Sequence, residues 1–600
     1  MNPIKQSAVS LLGGLGLAMA ALSFATTAQA NVYATNIKFN GALSNATVGQ
    51  GSGLTLSYIL NEPATLGTTL KILSGTNVVR TYSYASGSSG ALMGLNVVTW
   101  DGKNTGGSNV AVGAYSVSIT AAAVGFTNWT QTSIDTNSGI PAYYPLGIAV
   151  DNNINSPYYG RVVMSCALHN GSNPNTPFAA QKDGLYKMNA DGTKADEGWY
   201  GNAGYLADDG GDGATAGEMP NSGGYNPMKV RIGEDDRIYW VDNSNVGAIL
   251  ACDMQATTNQ VVIKEAGYAN NPDYSDFHAG CQEFDVCATT TTNAAIYMCD
   301  NDFPNWGVWM FHMTNGVADP ADTVGTQAVI AGGFSDLSLV SSGGVMVDYN
   351  LDIFVGQDRN GENPVYDAML YTNWNGGVLP PEGSSSTFAY GNNSGQVAWG
   401  YGSDVNTTSS SDPTFEGVRD MVINSRINPT ILACPMSGGT DNGAGGGIRL
   451  LNATNGTVIT AGSQVLTNLD WNQAYTCAAW DNVGNLYGAS TTRNLWRVYS
   501  PPGANTNTTV AVPTVNVVAA AVPPAITQIA VSGTTVTIKF TAPAGTTVSM
   551  LTLYSSATVA PASSYAPVSG AVITLVSPGV FQATATTSGS STFYRIALHP

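Results

Sequence analysis

The side chains best placed for chemistry are acids, tyrosines and a few arginines at the ends of short apolar runs. One set precedes a run: Tyr143, Tyr144, Tyr225 and Glu416. A second set follows a run: Asp242, Asp300, Asp302, Asp358, Arg359, Asp441 and Arg493. Carboxylates gathered from several segments suit Ca²⁺ or another hard cation, and tyrosines beside acids suit sugar binding. The competing reading is that loop acids cap backbone N–H groups in turns, and both stay open at this point. No catalytic set emerges. Only 4 His occur, which disfavours a His-rich zinc site. There is no G-x-S-x-G elbow and no P-loop. The acidic stretch Ala207 to Glu218 puts Gly210 where an EF-hand needs a ligand, so it reads as an acidic loop.

The 7 cysteines leave one unpaired by parity. Cys281 and Cys287 lie on one strand, roughly 20 Å apart at the strand rise, beyond disulfide reach. Antiparallel pairing of the flanking strands instead sets Cys281 opposite Cys299, and that disulfide is the one expected. Cys166, Cys299 and Cys434 hold equivalent strand ends and read as small buried residues.

The elements that must position these groups repeat. GRVVMSC (Gly160 to Cys166), RIYWVD (Arg237 to Asp242), AIYMCD (Ala295 to Asp300), DIFVGQD (Asp352 to Asp358), TILACP (Thr430 to Pro435) and GNLYGAS around Leu486 each follow a polar turn. An earlier strand precedes each turn: GIAVD, KVRIG, EFDVC, VMVD, MVIN and AAWD, ending at Asp151, Gly233, Cys287, Asp348, Asn424 and Asp481. A third strand follows, as in GLYKMNADG and GVWMFHMTNG, often ending in an Asp-Gly or Asn-Gly hairpin turn. Fourth strands such as QVVIKEAG come next. About six such units predict an all-β chain containing a β-propeller over 143–503. A seventh unit is possible on this pattern only if Gln131 to Tyr144 hides a degenerate one. Closure would come from Trp129 to Ile134 or from Thr508 to Val517.

Two further β modules flank this array. In the front one, 31–123, the strand Asn96 to Trp100 ends in Asp101-Gly102-Lys103-Asn104, followed by Gly106, Gly107, Val110, Gly113 and Tyr115. This resembles the FlgD-type immunoglobulin-like domain, which implies a β-sandwich acting as a spacer or assembly module, with Asp101 and Asn104 forming turns. PLGIAVD, with the repeat around it, resembles the NHL and gluconolactonase-like propellers. Phe415-Glu416-Gly417 is similar to the E-G-P metal ligand of the latter, with Val418 in place of Pro. That resemblance implies a metal-dependent lactonase or hydrolase with Glu416, Asp300 and Asp358 as ligands and a metal-activated water. At the rear, 523–600 reads as seven short strands of an immunoglobulin- or fibronectin-like sandwich. Residues 124–142 and 504–522 read as linkers.

Composition sets the remaining bounds. Charged residues are 10% of 600, and 40 acidic against 21 basic residues give a net charge of −19. Such a surface repels phosphate backbones, so nucleic acid is not an expected partner. Lys5, the apolar run Leu11 to Phe24 and Ala28-Gln29-Ala30 read as a secretory signal peptide, 1–30, cleaved after Ala30. No later stretch is long and apolar enough to span a membrane. The leading expectation is an exported, secreted or surface-held bacterial protein that binds or assembles at the cell exterior without catalysis. A polysaccharide or another surface protein would be the partner, and calcium the cofactor if there is one. The alternatives are the lactonase and a structural subunit of a surface layer or fibre.

Overall fold

The computed structural model describes residues 32–135, 144–166, 184–196, 227–242, 248–258, 260–264, 281–290, 293–300, 307–314, 316–318, 328–331, 342–348, 350–357, 367–372, 397–402, 417–424, 430–436, 447–459, 475–491, 495–519, 523–543, 545–559, 564–586 and 592–598. The protein is all-β: among the described residues the regular structure is strand, apart from a 3-10 turn at Val548–Met550. The leader 1–30 and the acidic loop 207–218 lie outside the described residues.

Six antiparallel sheets follow one another along the array. Sheet 1 contains Pro145–Val150, Val162–Cys166 and Gly184–Met188. Sheet 2 contains Val230–Ile232, Arg237–Asp242, Ala248–Asp253 and Gln260–Lys264. Sheet 3 contains Cys281–Thr290, Asn293–Asp300 and Gly307–Thr314, the last also pairing with Val317–Ala318 and Ala328–Ala331. Sheet 4 contains Ser342–Val347, Ile353–Gln357, Ala368–Tyr371 and Val397–Tyr401. Sheet 5 contains Val422–Asn424, Ile431–Met436 and Gly447–Asn452, and sheet 6 contains Tyr475–Trp480, Leu486–Ser490 and Leu495–Ser500.

The inner strands of each sheet are buried on both faces, with successive side chains pointing opposite ways. In sheet 2, Ile238 and Trp240 pack with Ala149 and Val163 of sheet 1. The intervening Tyr239 and Val241 pack with Phe284 and Ile296 of sheet 3. The pattern continues: Tyr297 and Val308 meet Val345 and Val355. Phe354 and Leu370 meet Leu432 and Cys434, and Ala433 and Leu450 meet Ala478 and Trp480. Finally, Cys477 and Tyr487 of sheet 6 pack with Ile148 and Val162 of sheet 1. Burial on both faces is why the runs read as continuously apolar instead of alternating.

The two stretches read as linkers contain strands. Thr130–Gln131 is the fourth strand of sheet 6, with Gln131 opposite Tyr499 and Thr130 opposite Ser500. Beside it, Trp129 is buried against Trp480, ring centroids 5.9 Å apart. Asp135 accepts from Arg497 Nε at 2.9 Å and Nη2 at 2.5 Å. Gly503–Val510 runs antiparallel to Gly113–Phe126 of the front module, Val510 opposite Ser118 and Asn505 opposite Ala123. Of the two closing segments expected, the first pairs with sheet 6, while Thr508 to Val510 joins the front module.

The chain divides into two compact units: the described parts of Met1–Ala46, Leu54–Trp100 and Tyr115–Thr514, and those of Thr47–Gly53, Asp101–Ala114 and Val515–Pro600. In the first, Ala34–Phe39, Leu54–Leu60 and Gly94–Trp100 form one sheet, and Trp100 is buried 5.6 Å from the Tyr115 ring. In the second, the Asp101 carboxylate accepts from Lys103 N at 3.1 Å and Asn104 Oδ1 from Ser108 N at 3.0 Å, the turn-forming roles expected of them. The second unit also carries a four-stranded and a three-stranded sheet sharing one core, Val536, Ile538, Phe540, Leu553, Phe581 and Ala583.

Because Trp129 lies in the cluster between sheets 5 and 6, Trp129→Ala should cost about 3–5 kcal/mol, as large-to-small core changes do. Denaturant unfolding checks this; a change of a few tenths would mean that 124–142 is a linker after all.

Candidate functional site

The first strands of the six sheets approach one another closely. A Cβ on Gly147 would sit 2.5 Å from Val230 N, and one on Gly344 would sit 2.8 Å from the Asp420 carbonyl carbon. Only glycine permits that approach. Between these strands lies a buried group of charges that period-two alternation places there. In Lys229-Val230-Arg231, Val230 enters the cluster with sheet 1, so Lys229 and Arg231 share the other face. In Glu283-Phe284-Asp285, Phe284 enters the cluster with sheet 2, so Glu283 and Asp285 likewise pair on the opposite face.

The two pairs meet level for level. Lys229 Nζ lies 2.8 Å from Glu283 Oε1, and Arg231 Nε lies 3.7 Å from Asp285 Oδ1. Asp420, just ahead of the first strand of sheet 5, bridges both cations, 2.6 Å from Arg231 Nη2 and 3.5 Å from Lys229 Nζ. Backbone completes the set. Lys229 Nζ donates to Arg419 O at 3.0 Å and Thr476 O at 3.1 Å. Asp285 Oδ2 accepts from Val347 N at 2.8 Å, and Asp420 from Met421 N at 2.9 Å and Ala478 N at 3.2 Å. One network therefore ties sheets 2 to 6.

Two cations face three carboxyls, so one carboxyl is in excess. Burial pushes Glu283 up to about 8, more than Lys229 can offset, and pushes Asp285 up to about 6 against the pull of Arg231. Burial would raise Asp420 too, but Arg231 and Lys229 outweigh it and hold it below the usual carboxylate value. Burial alone would lower Lys229; Asp420 first, then Glu283, raise it instead. Lys229 is thus charged chiefly through Asp420, and Glu283 takes the proton. Glu283 Oε2 makes no hydrogen bond among the described residues, as suits a neutral carboxyl better than an anion.

Beyond Arg231 and Asp285 opens a cavity of about 710 Å³, lined by residues from the first strands of all six sheets or the turns that follow them. Its polar lining includes Asn152, Asn153, Glu234, Asp348, Asp481 and Asn482. Two of these acids are turn caps. Asp348 Oδ1 accepts from Asn350 N at 2.8 Å and Asp352 N at 2.9 Å. Asp481 Oδ1 accepts from Val483 N at 3.1 Å and Asn485 N at 2.7 Å, and burial pushes Asp481 up to about 7.

This cavity faces the end of the sheets opposite to that expected from sequence. Tyr144, at φ 49°, directly precedes the first strand of sheet 1. Asp242 and Asp300 end the second strands of sheets 2 and 3, opposite Ala248 and Gly307. These three mark the far end, where first strands begin; none lines the cavity. Tyr143, Tyr225, Asp302, Asp358, Arg359, Glu416, Asp441 and Arg493 lie outside the described residues, as do the side chains of Asp242 and Asp300. The register sets Cys281 opposite Asp300 and Cys299 opposite Glu283, an irregularity in the first strand shifting the direct opposition expected. The side chains of both cysteines lie outside the described residues. Cys166 and Cys434 are buried, as read. Burial pushes the Cys252 and Cys477 thiols up to about 12, so neither is a nucleophile near neutrality.

No protein-family model matches the chain, and no curated protein matches it. Among solved structures it is similar to the calcium structure of Trichoderma reesei carbohydrate-active enzymes family AA12, at 12% identity and a TM-score of 0.32. The match covers 66% of this chain and 98% of that one. A likeness at this level carries no argument about the site. Among the described residues no group of three or more His, Cys, Asp or Glu is arranged to hold a metal, and no helix is long and apolar enough to cross a membrane.

The charges missed in the sequence had a signal. Lys-Val-Arg and Glu-Phe-Asp are complementary i, i+2 pairs inside strands otherwise built for burial, and buried charges are rare unless paired.

Two outcomes test the network. Asp420→Ala removes the carboxylate that bridges both buried cations and should cost about 3–5 kcal/mol, while Glu283→Gln should cost less. Denaturant midpoints at pH 7 compare them. A carboxyl raised from 4.5 to about 8 retains in the folded state a proton that the unfolded chain has lost. Its contribution is therefore full below pH 4.5 and fades as pH rises to about 8. Across that window stability should fall less steeply with pH in Glu283→Gln than in the wild type; parallel profiles would remove Glu283 as the proton carrier.

Proposed function

We propose that this chain is an exported binding protein built on a six-bladed β-propeller, with the axial cavity as its ligand site. The observation that carries the reading is the cavity of about 710 Å³ to which all six sheets contribute. Its support is the cyclic order of packing, each sheet on the next and the sixth on the first. A strand from ahead of the array, Thr130–Gln131, completes sheet 6, as a propeller closure would. In this reading the front module is a FlgD-type immunoglobulin-like spacer, the array is of the NHL and gluconolactonase-like kind, and the rear module is an immunoglobulin- or fibronectin-like docking domain.

The cavity mouth offers amides and carboxylates around a space of ligand size, and its inner end holds a guanidinium beside a carboxylate. Such alternating donors and acceptors suit a polyhydroxylated ligand, so a polysaccharide segment is the partner proposed. Calcium belongs to the proposal as a cation shared between the ligand and mouth carboxylates. No nucleophile, base and orienting group converge among the described residues, and the reading is of binding without catalysis.

Ile154 and Glu234 are exposed and line the mouth. Glycan binding by the purified protein, followed by calorimetry with and without calcium, should weaken at least tenfold in Ile154→Trp/Glu234→Trp at an unchanged melting temperature. Binding that ignores the blocked mouth, or no binding across a broad glycan panel, would sink the axial site.

A further inference from the structure

The strand Ala525–Ser532 is the outer strand of the four-stranded sheet in the second unit, and among the described residues it pairs only with Thr535–Thr541. All eight of its residues are exposed. The register makes this costly. Ile526, Ile529 and Val531 stand directly opposite Phe540, Ile538 and Val536, and directly opposed residues share a face. Those three partners are fully buried, yet Ile526, Ile529 and Val531 remain 37%, 53% and 64% exposed. The core face of the sheet thus runs out past its cover, a three-stranded sheet in which Ala566–Pro567 has only two residues.

Charge says what can cover it. Ala525–Ser532 contains no charged residue and no proline, two of the usual protections of an edge strand. An irregularity between Ile526 and Gln528 guards one end only. No acidic residue follows Asp481 anywhere in the chain, so all 40 acids precede the rear module, whose basic residues are Lys539, Arg595 and His599. Copies of a chain of net charge −19 repel one another, and the uncharged edge is a surface that adds no charge of its own to that repulsion. The opposite outer strand, Val572–Ser577, is shorter and carries its own irregularity between Leu575 and Ser577.

We propose that Ala525–Ser532 is a self-association edge, pairing antiparallel with the same strand of a second copy about a two-fold axis. The pairing satisfies the open backbone edge and continues the core face, bringing Ile526, Ile529 and Val531 of both copies together. It is independent of the axial ligand site.

Sedimentation velocity of the purified full chain from about 1 to 100 µM, a range spanning ordinary micromolar affinities, tests it. The wild type should pass from monomer to dimer, and Ile529→Lys/Val531→Lys should stay monomeric across the range. Both positions are exposed, so the variant should keep the wild-type melting temperature. Amide exchange over 528–532 should slow with concentration in the wild type alone, a second readout that does not depend on the variant. A monomeric wild type, a dimer that survives both lysines, or open-ended polymers that would implicate the other edge each overturn the proposal. So does a monomer that uses this strand to hold a glycan.

Discussion

The structure depends on what happens where the first strands of the sheets meet. Strands brought that close leave no room for bulk at Gly147 or Gly344, yet Lys229, Arg231, Glu283, Asp285 and Asp420 are enclosed there. Removing five ionisable groups from water is unfavourable unless each finds partners. The arrangement meets that condition by balance: two cations, two anions and a carboxyl that burial keeps protonated. Because Asp285 also accepts from Val347 N and Asp420 from Ala478 N, the charges hold neighbouring sheets through their backbones as well as through one another.

That inner network and the outer clusters divide the work. The clusters between sheets are apolar and indifferent to small shifts, since Val, Ile, Leu and Met pack adequately in several arrangements. The charges are not indifferent. A one-residue slip of Lys229-Val230-Arg231 would turn both cations into the cluster with Ala149 and Val163, and Val230 onto the ionic face. The same slip of Glu283-Phe284-Asp285 would drive carboxylates among Tyr239 and Ile249. Dispersion and burial supply the bulk of the attraction, and the ionic ladder penalises the wrong register.

Much of this architecture was legible. The six repeated runs mark second strands, and the polar turns between them are capped by acids at fixed offsets, as in Asp348 with Asn350 and Asp352. Local chemistry suffices for such features: β-branched and aromatic residues, then a side chain that accepts its own turn's N–H groups. What escaped was non-local. Trp129 to Ile134 is readable only as one of two closing candidates: Thr130–Gln131 is too short to decide between them, and its partner Tyr499 is hundreds of residues away. Gly503–Val510 reads as a polar, uncharged linker because one face looks outward and the other is met by Asn505 and Asn507, which bind Val32 N and O. The buried charges escaped for the converse reason: they lie inside segments whose apolar character made them easy to read as ordinary strands.

Charge is distributed along the chain with the same economy of place. Of the 40 acids, 38 lie between Asp135 and Asp481 and none follows, so the array carries nearly all of the negative charge and the rear module none of it. A wholly acidic chain would gain solubility at every surface and lose the ability to make a close, dry contact at any of them. Segregation avoids that conflict. The array keeps Glu234 of the cavity lining in water, while the rear sandwich can leave a neutral, half-covered face exposed. Such a face would threaten aggregation if repeated over the whole surface. Confined to one edge of one module, it has a limited set of geometries in which it can be covered.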